Sequence, residues 1–129
     1  MKIKILIPVL VLLLTTTANL EAQRKIEVNS KTVSIILSKD SKLVVLDVRT
    51  ADEFNEGHLK GAFNIDIRQP DALSRIDKLD HNAKYLVHCR TNHRSKTAVD
   101  HMLQSGFKTV YQMMDGFPGW AANNLASEK

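Results

Sequence analysis

Apolar residues along this chain fall into two alternating kinds of run. One kind is short and unbroken: Leu43–Val48 (L-V-V-L-D-V), Ala62–Ile65, Tyr85–His88 and Thr109–Tyr111, with a shorter run at Ile26–Val28. Runs of this length, bounded by turn-forming residues, predict buried β-strands. The other kind recurs every three or four residues and predicts helices. Ser30 is placed to cap a helix reaching Leu37, with Val33, Ile36 and Leu37 inward. Thr50 is placed to cap a short helix over Ala51–Asn55 closed by Gly57, and Pro70 to open one that turns Leu73, Ile76 and Leu79 to the core. Ser95 reads as the N-cap of a helix carrying Ala98, Val99, Met102 and Leu103, with Gly106 as its stop. Asp115-Gly116 then turns the chain into a terminal helix over Pro118–Asn123, where Trp120 packs. Buried strands alternating with helices predict an α/β domain: a mainly parallel central sheet of about five strands with helices on both faces.

Residues 1–22 stand apart from this alternation. Lys2 and Lys4 precede an uninterrupted apolar stretch, Ile5–Leu14, and small residues follow. This is the layout of an export signal, cut after Ala18 or Ala22. Ten apolar residues are too few for a bilayer that needs about 20, so no stable membrane anchor is expected, the alternative being an uncleaved one. Residues 23–129 then form one domain, exported and, in a two-membrane bacterium, periplasmic. The full chain, 43% hydrophobic and 25% charged, has the composition of an ordinary globular protein. The net charge of +4 comes without a basic run or an aromatic platform. That pattern gives nucleic-acid binding no support and suits a small anionic substrate. The five histidines show no metal-ligand spacing, so neither metal nor cofactor is expected.

The chemistry concentrates at the single cysteine. Cys89 ends the Tyr85–His88 run, and six polar residues follow: Arg90, Thr91, Asn92, His93, Arg94 and Ser95. A cysteine between a strand end and a helix start meets unpaired backbone N–H groups and the positive end of the helix macrodipole. Arg90 and Arg94 add two cations. Each influence favours thiolate over thiol, and the same cradle suits an oxyanion. A lone cysteine in an ordinary core would be followed by apolar residues, which these are not. In an exported protein it has no partner within its own chain, so it is either buried or used.

Two motifs, L-D-V-R-T-A-D-E-F-N-E-G-H-L-K-G-A-F-N-I at Leu46–Ile65 and the Cys89 loop followed by S-G-F at Ser105–Phe107 and D-G-F-P-G-W at Asp115–Trp120, carry a resemblance. Together and in this order they resemble the single-domain rhodanese-like sulfurtransferases, over about Ile26–Asn123, and among these the exported, phage-shock-protein-E type. The resemblance implies a thiosulfate-type sulfurtransferase that moves a sulfane sulfur through a Cys89 persulfide to cyanide, a thiol or a protein cysteine. It also implies that the loop from Arg90 to Ser95 binds the sulfur and a small anionic donor. Four residues separate Cys89 from Arg94, the loop length associated with sulfur transfer; the related phosphatase loop would place its arginine where Ser95 stands. Replacing Arg94 is accordingly expected to raise the donor KM.

The loop departs from the family pattern at Asn92, where glycine is common; asparagine tolerates the positive φ that a tight curl demands. His93 either tunes acceptor choice or is a solvated loop residue. Asp47 and Arg49, at a strand's carboxyl end, are supporting candidates: Asp47 either orients the loop or forms a structural ion pair. Glu53 and His58 read as fold-holding, His88 as a satisfied strand histidine, and Phe117 and Trp120 as core or pocket rim. The alternative to an enzyme is a sulfur carrier or stress-related binding module without turnover.

Overall fold

The protein is described by a computed structural model covering Lys2 and residues 22–129. The leader expected over residues 1–22, with its cleavage after Ala18 or Ala22, lies outside the described residues apart from Lys2 and Ala22. The elements run β1 (Arg24–Val28), α1 (Ser30–Lys39), β2 (Val44–Asp47), α2 (Ala51–Glu56), β3 (His58–Leu59) and β4 (Phe63–Asn64). There follow α3 (Ala72–Asp77), β5 (Lys84–His88), α4 (His93–Gln104), β6 (Thr109–Met113), α5 (Gly116–Ala122) and β7 (Ser127–Glu128). Five strands form one fully parallel sheet in the order β1-β6-β5-β2-β4.

Both faces of that sheet are covered, which is why its strands are continuous apolar runs rather than alternating ones. On one face Leu46, Val87, Ile76, Ala98, Val99, Met102 and Phe107 pack together around α3 and α4. On the other, Val33, Val45, Leu59, Leu86, Met113 and Trp120 pack around α1 and α5. Met113 is fully buried there.

Several boundaries differ from the sequence expectation, each for a physical reason. Ser30 is the first residue of α1, not its cap; the Asn29 side chain accepts the Thr32 amide at 2.9 Å. Ser30 is instead drawn to Asp115, whose carboxylate accepts its amide at 2.9 Å and its hydroxyl at 2.6 Å. Leu73, expected inward, is 40% exposed, and Ala72 takes the buried place beside Ile76 on α3. Strand β6 runs on to Met113 because β1 pairs with its whole length, a partner that local pattern does not reveal. The small antiparallel pair β3–β7 was not expected; its paired residues lie 68 and 70 positions apart in sequence and its strands have only two residues each.

The strand order places the crevice for a ligand. Strands β2 and β5 are neighbours in parallel register, with Asp47 opposite His88. From β2 the chain moves outward to β4, and from β5 inward to β6. Loops leaving the carboxyl ends of β2 and β5 therefore diverge, and open α/β sheets bind ligands at such points.

Candidate active site

The loop after β5 carries Cys89. Its sulfur lies beneath the first turn of α4: the Ser95 amide donates to Sγ at 3.3 Å, and Ser95 Oγ stands 3.6 Å away. Ser95 was expected as the N-cap, yet it is the third residue of α4 and fully buried. The helix begins three residues earlier than a Ser95 cap would give, with Asn92 in the cap position, and a start at His93 brings the Ser95 amide onto the sulfur. Asn92 has φ −140°, ordinary for any residue, so the positive φ expected there is not required and the loop stores no strain at that point. Among the described residues none accepts a hydrogen bond from the amides of Arg90, Thr91, Asn92 or Arg94. Unpaired amides before a helix N-terminus make an anion-binding nest.

The two arginines differ. Arg94 is clamped by Glu53 through two parallel hydrogen bonds, Nη1 to Oε2 at 2.7 Å and Nη2 to Oε1 at 2.9 Å. The same carboxylate closes the capping box of α2, accepting the Thr50 amide at 2.9 Å and its hydroxyl at 3.0 Å. Arg94 above all, and the Thr50 donors with it, hold the Glu53 carboxyl well below the usual carboxylate range, against its partial burial. Glu53 raises the Arg94 guanidinium in turn, with a smaller contribution from Cys89 nearby. Arg90, by contrast, is exposed and lines a cavity of about 360 Å³ with Arg49, Glu53, Glu56, Phe117 and Pro118. Thr91 and His93 are exposed on the same loop, and Thr91 Oγ1 accepts the His93 amide at 3.4 Å. A larger cavity, about 570 Å³, lies at the start of β2 and includes no residue of the Cys89 loop.

Asp47 does not reach the loop. It is fully buried and bound to Arg49, whose Nε lies 3.0 Å from both carboxylate oxygens and whose Nη2 donates to Oδ2 at 2.7 Å. Arg49 also donates to the Gly57 carbonyl at 2.7 Å and stacks over the Phe117 ring at 4.2 Å. The structural ion pair is therefore the arrangement found. It fixes the floor of the crevice, joining β2, α2 and α5.

His88, beside the cysteine, is fully buried, and its Nε2 has no hydrogen-bond partner; Asp47 Oδ2 is 3.5 Å away. Burial holds this imidazole below the usual histidine range, with Asp47 pulling the other way. Its Nδ1 lies 3.3 Å from the Cys89 carbonyl, so the strand histidine expected to be satisfied is satisfied at one nitrogen only. His58 fixes the turn after α2: its Nδ1 lies 2.9 Å from the Phe54 carbonyl and its ring stacks on Phe54.

Two features behind the loop were not foreseen. Gly116, at φ +60°, lets the start of α5 press against the loop, where a Cβ would collide with the carbonyls of Arg90 and Thr91. The Phe117 amide donates to the Cys89 carbonyl at 2.9 Å, pinning the loop from the same side. Gln112, buried on β6, donates to Asn92 O at 3.1 Å and to Ser95 Oγ at 3.2 Å. It lies just beyond the expected strand end at Tyr111, where no local pattern marks it.

Residues 33–123 match the rhodanese-like domain model. The chain belongs to the rhodanese-like family. Curated rhodanese-like relatives include a thiosulfate sulfurtransferase of Coxiella burnetii, 30% identical over 92 residues that span 71% of this chain and 84% of that one. A chloroplastic thiosulfate sulfurtransferase of Arabidopsis thaliana is 30% identical over 109 residues, spanning 74% and 91%. Among solved structures, a protein from Lactobacillus plantarum superposes with a TM-score of 0.68 at 30% identity, covering 81% of this chain and 88% of that one. The Alr3790 protein of Anabaena shares the rhodanese-like fold, with a TM-score of 0.70 at 23% identity over 78% and 90%. Among the described residues no group of three or more His, Cys, Asp or Glu side chains is placed to hold a metal ion.

Proposed function

We propose that the protein is a thiosulfate-type sulfurtransferase whose nucleophile is Cys89. The observation that carries this reading is the seat of Sγ, at the carboxyl end of β5, under the Ser95 amide and among loop amides with no other acceptor. The thiolate attacks the outer sulfur of thiosulfate. A Cys89–sulfur bond forms as the donor's sulfur–sulfur bond breaks, and the electron pair leaves on sulfite. Unpaired amides and Arg90 stabilise the charge that develops, and Cys89 reacts in its thiolate form. Cyanide, a small thiol or a protein cysteine then takes the outer sulfur and restores the thiolate.

Cys89 is fully buried at rest, so the reading requires the loop to part on the Arg90 side as donor enters. Export to the periplasm, as in the phage-shock-protein-E type, belongs to the same proposal and rests on the residue pattern of the leader.

Mass spectrometry after thiosulfate treatment is the direct test. The wild-type protein should gain ~32 Da on Cys89, removable by cyanide or dithiothreitol, and Cys89→Ser should gain nothing. An unchanged wild-type mass, or turnover retained by the serine variant, would overturn the assignment. An adduct that forms without catalytic turnover would favour a sulfur carrier over an enzyme.

A further inference from the structure

We propose that Gln112 is a positioning residue that acts on Cys89 through the Ser95 hydroxyl. This rests on the reading of Cys89 as the sulfur-bearing nucleophile. Gln112 is 1% exposed and sits on β6, the strand next to β5. Its amide nitrogen has two hydrogens and uses both on the loop, one to Asn92 O at 3.1 Å and one to Ser95 Oγ at 3.2 Å. Its Oε1 is buried without a partner. A buried acceptor left unpaired is unfavourable, and an apolar side chain of equal size would pack there without that penalty. The donor end of the amide is therefore the part the site uses.

The Asn92 carbonyl explains what it is used for. That oxygen faces three donors: the Lys96 amide at 2.9 Å, Ser95 Oγ at 3.1 Å and Gln112 Nε2 at 3.1 Å. A carbonyl has two lone pairs, so one donor is surplus. Lys96 is fixed by the helix ladder and Gln112 by its strand, whereas the Ser95 hydroxyl rotates. With a thiol at position 89, S–H points to Ser95 Oγ and the hydroxyl to Asn92 O. With a thiolate, the hydroxyl turns to Sγ, and Asn92 O keeps Lys96 and Gln112. Gln112 also continues to donate to Oγ, which polarises the hydroxyl and strengthens its bond to sulfur. Without Gln112, turning the hydroxyl to sulfur would leave the carbonyl with one donor and the hydroxyl unpolarised.

The test is a double-mutant cycle on the full chain, with the rate of Cys89 alkylation by iodoacetamide at fixed neutral pH as readout. Gln112→Met and Ser95→Ala should each slow alkylation about three- to tenfold, and the double variant should be no slower than Ser95→Ala alone. A residue that merely props the loop through Asn92 O would instead give losses that multiply. Multiplying losses, or a wild-type rate in Gln112→Met, overturns the proposal. Gln112→Leu repeats the measurement in different packing, and thermal unfolding qualifies each variant. Should neither replacement fold, Gln112 is a structural residue and the proposal fails. Persulfide formation by the wild type is measured separately: its absence would defeat the sulfurtransferase reading and leave the alkylation cycle interpretable.

Discussion

Arg90 and Arg94 flank the same loop but face different constraints. Arg94 is spent on Glu53, so it holds the loop to α2 and leaves Arg90 as the exposed cation at the cavity mouth. Arg90→Ala should therefore raise the thiosulfate KM several-fold with kcat little changed, as uniform binding is lost. Arg94→Ala should lower kcat and stability together, whereas the residue pattern alone leads to the expectation of a raised donor KM; the Glu53 clamp is the reason for the difference. Steady-state kinetics on the two variants separates these outcomes. Glu53→Gln should cost about 1–2 kcal/mol, through the bidentate pair and the α2 cap. The pH dependence has a definite sign. Because the folded carboxyl sits below its unfolded value of about 4.3, its stabilisation is full above that value and is lost as acid approaches the folded one. Urea unfolding of wild type and Glu53→Gln should differ most near neutrality, and the gap should close on acidification below about pH 4. Cys89 was marked as a candidate by its own neighbours, the polar residues after a strand, although the structure packs it, fully buried, in the core around α3 and α4. Its supports were not. The Glu53–Arg94 pair spans 41 positions, and Gln112 meets Asn92 only because β6 lies beside β5.

At the level of elements, the loop is shaped from outside as much as by its own residues. Its backbone needs no positive φ at Asn92, and the close approach falls at Gly116 instead. A glycine in Asp-Gly reads as a turn from sequence; that its missing Cβ makes room for the Arg90 and Thr91 carbonyls depends on where α5 docks. Gly61 supplies the control, with φ +76° and nothing within 4 Å of a Cβ. Gly61→Ala should cost only the left-handed backbone strain, about 1 kcal/mol. Gly116→Ala combines similar strain with a backbone collision and should cost more than ~2 kcal/mol while impairing persulfide formation. Thermal unfolding with adduct mass on both variants checks the contrast; equal behaviour would mean that α5 does not shape the loop. The helices themselves were legible from their apolar spacing, and the Thr50 cap of α2 from its own residues, but the starts of α1 and α4 were not. Ser30 and Ser95 both resemble caps, and both are claimed by tertiary partners, Asp115 and the Cys89 sulfur.

For the whole molecule, an all-parallel sheet with a core on each face leaves its edges as the vulnerable places, and β1 forms one of them. Gln23, the residue after the second expected cleavage point, already makes contacts with the domain. Gln23 Nε2 donates to the carbonyls of Leu103, at 2.7 Å, and Phe107, at 3.1 Å, and β1 then pairs with β6 along all five of its residues. No helix among the described residues is long and apolar enough to cross a membrane. Under the export proposal, cutting after Ala18 or Ala22 spares every one of these contacts. A chain starting at Gln23 should consequently unfold within a few degrees of the full-length protein and acquire the same persulfide. A chain starting at Asn29 loses β1, exposes the edge of β6 and should unfold at a clearly lower temperature. In a two-membrane bacterium the mature protein should fractionate with the periplasm, and its intact mass should place the first residue at Asn19 or Gln23. A full-length mass in the cytoplasmic fraction would remove the export proposal and leave the sulfur chemistry untouched, because none of the residues around Cys89 belongs to the leader.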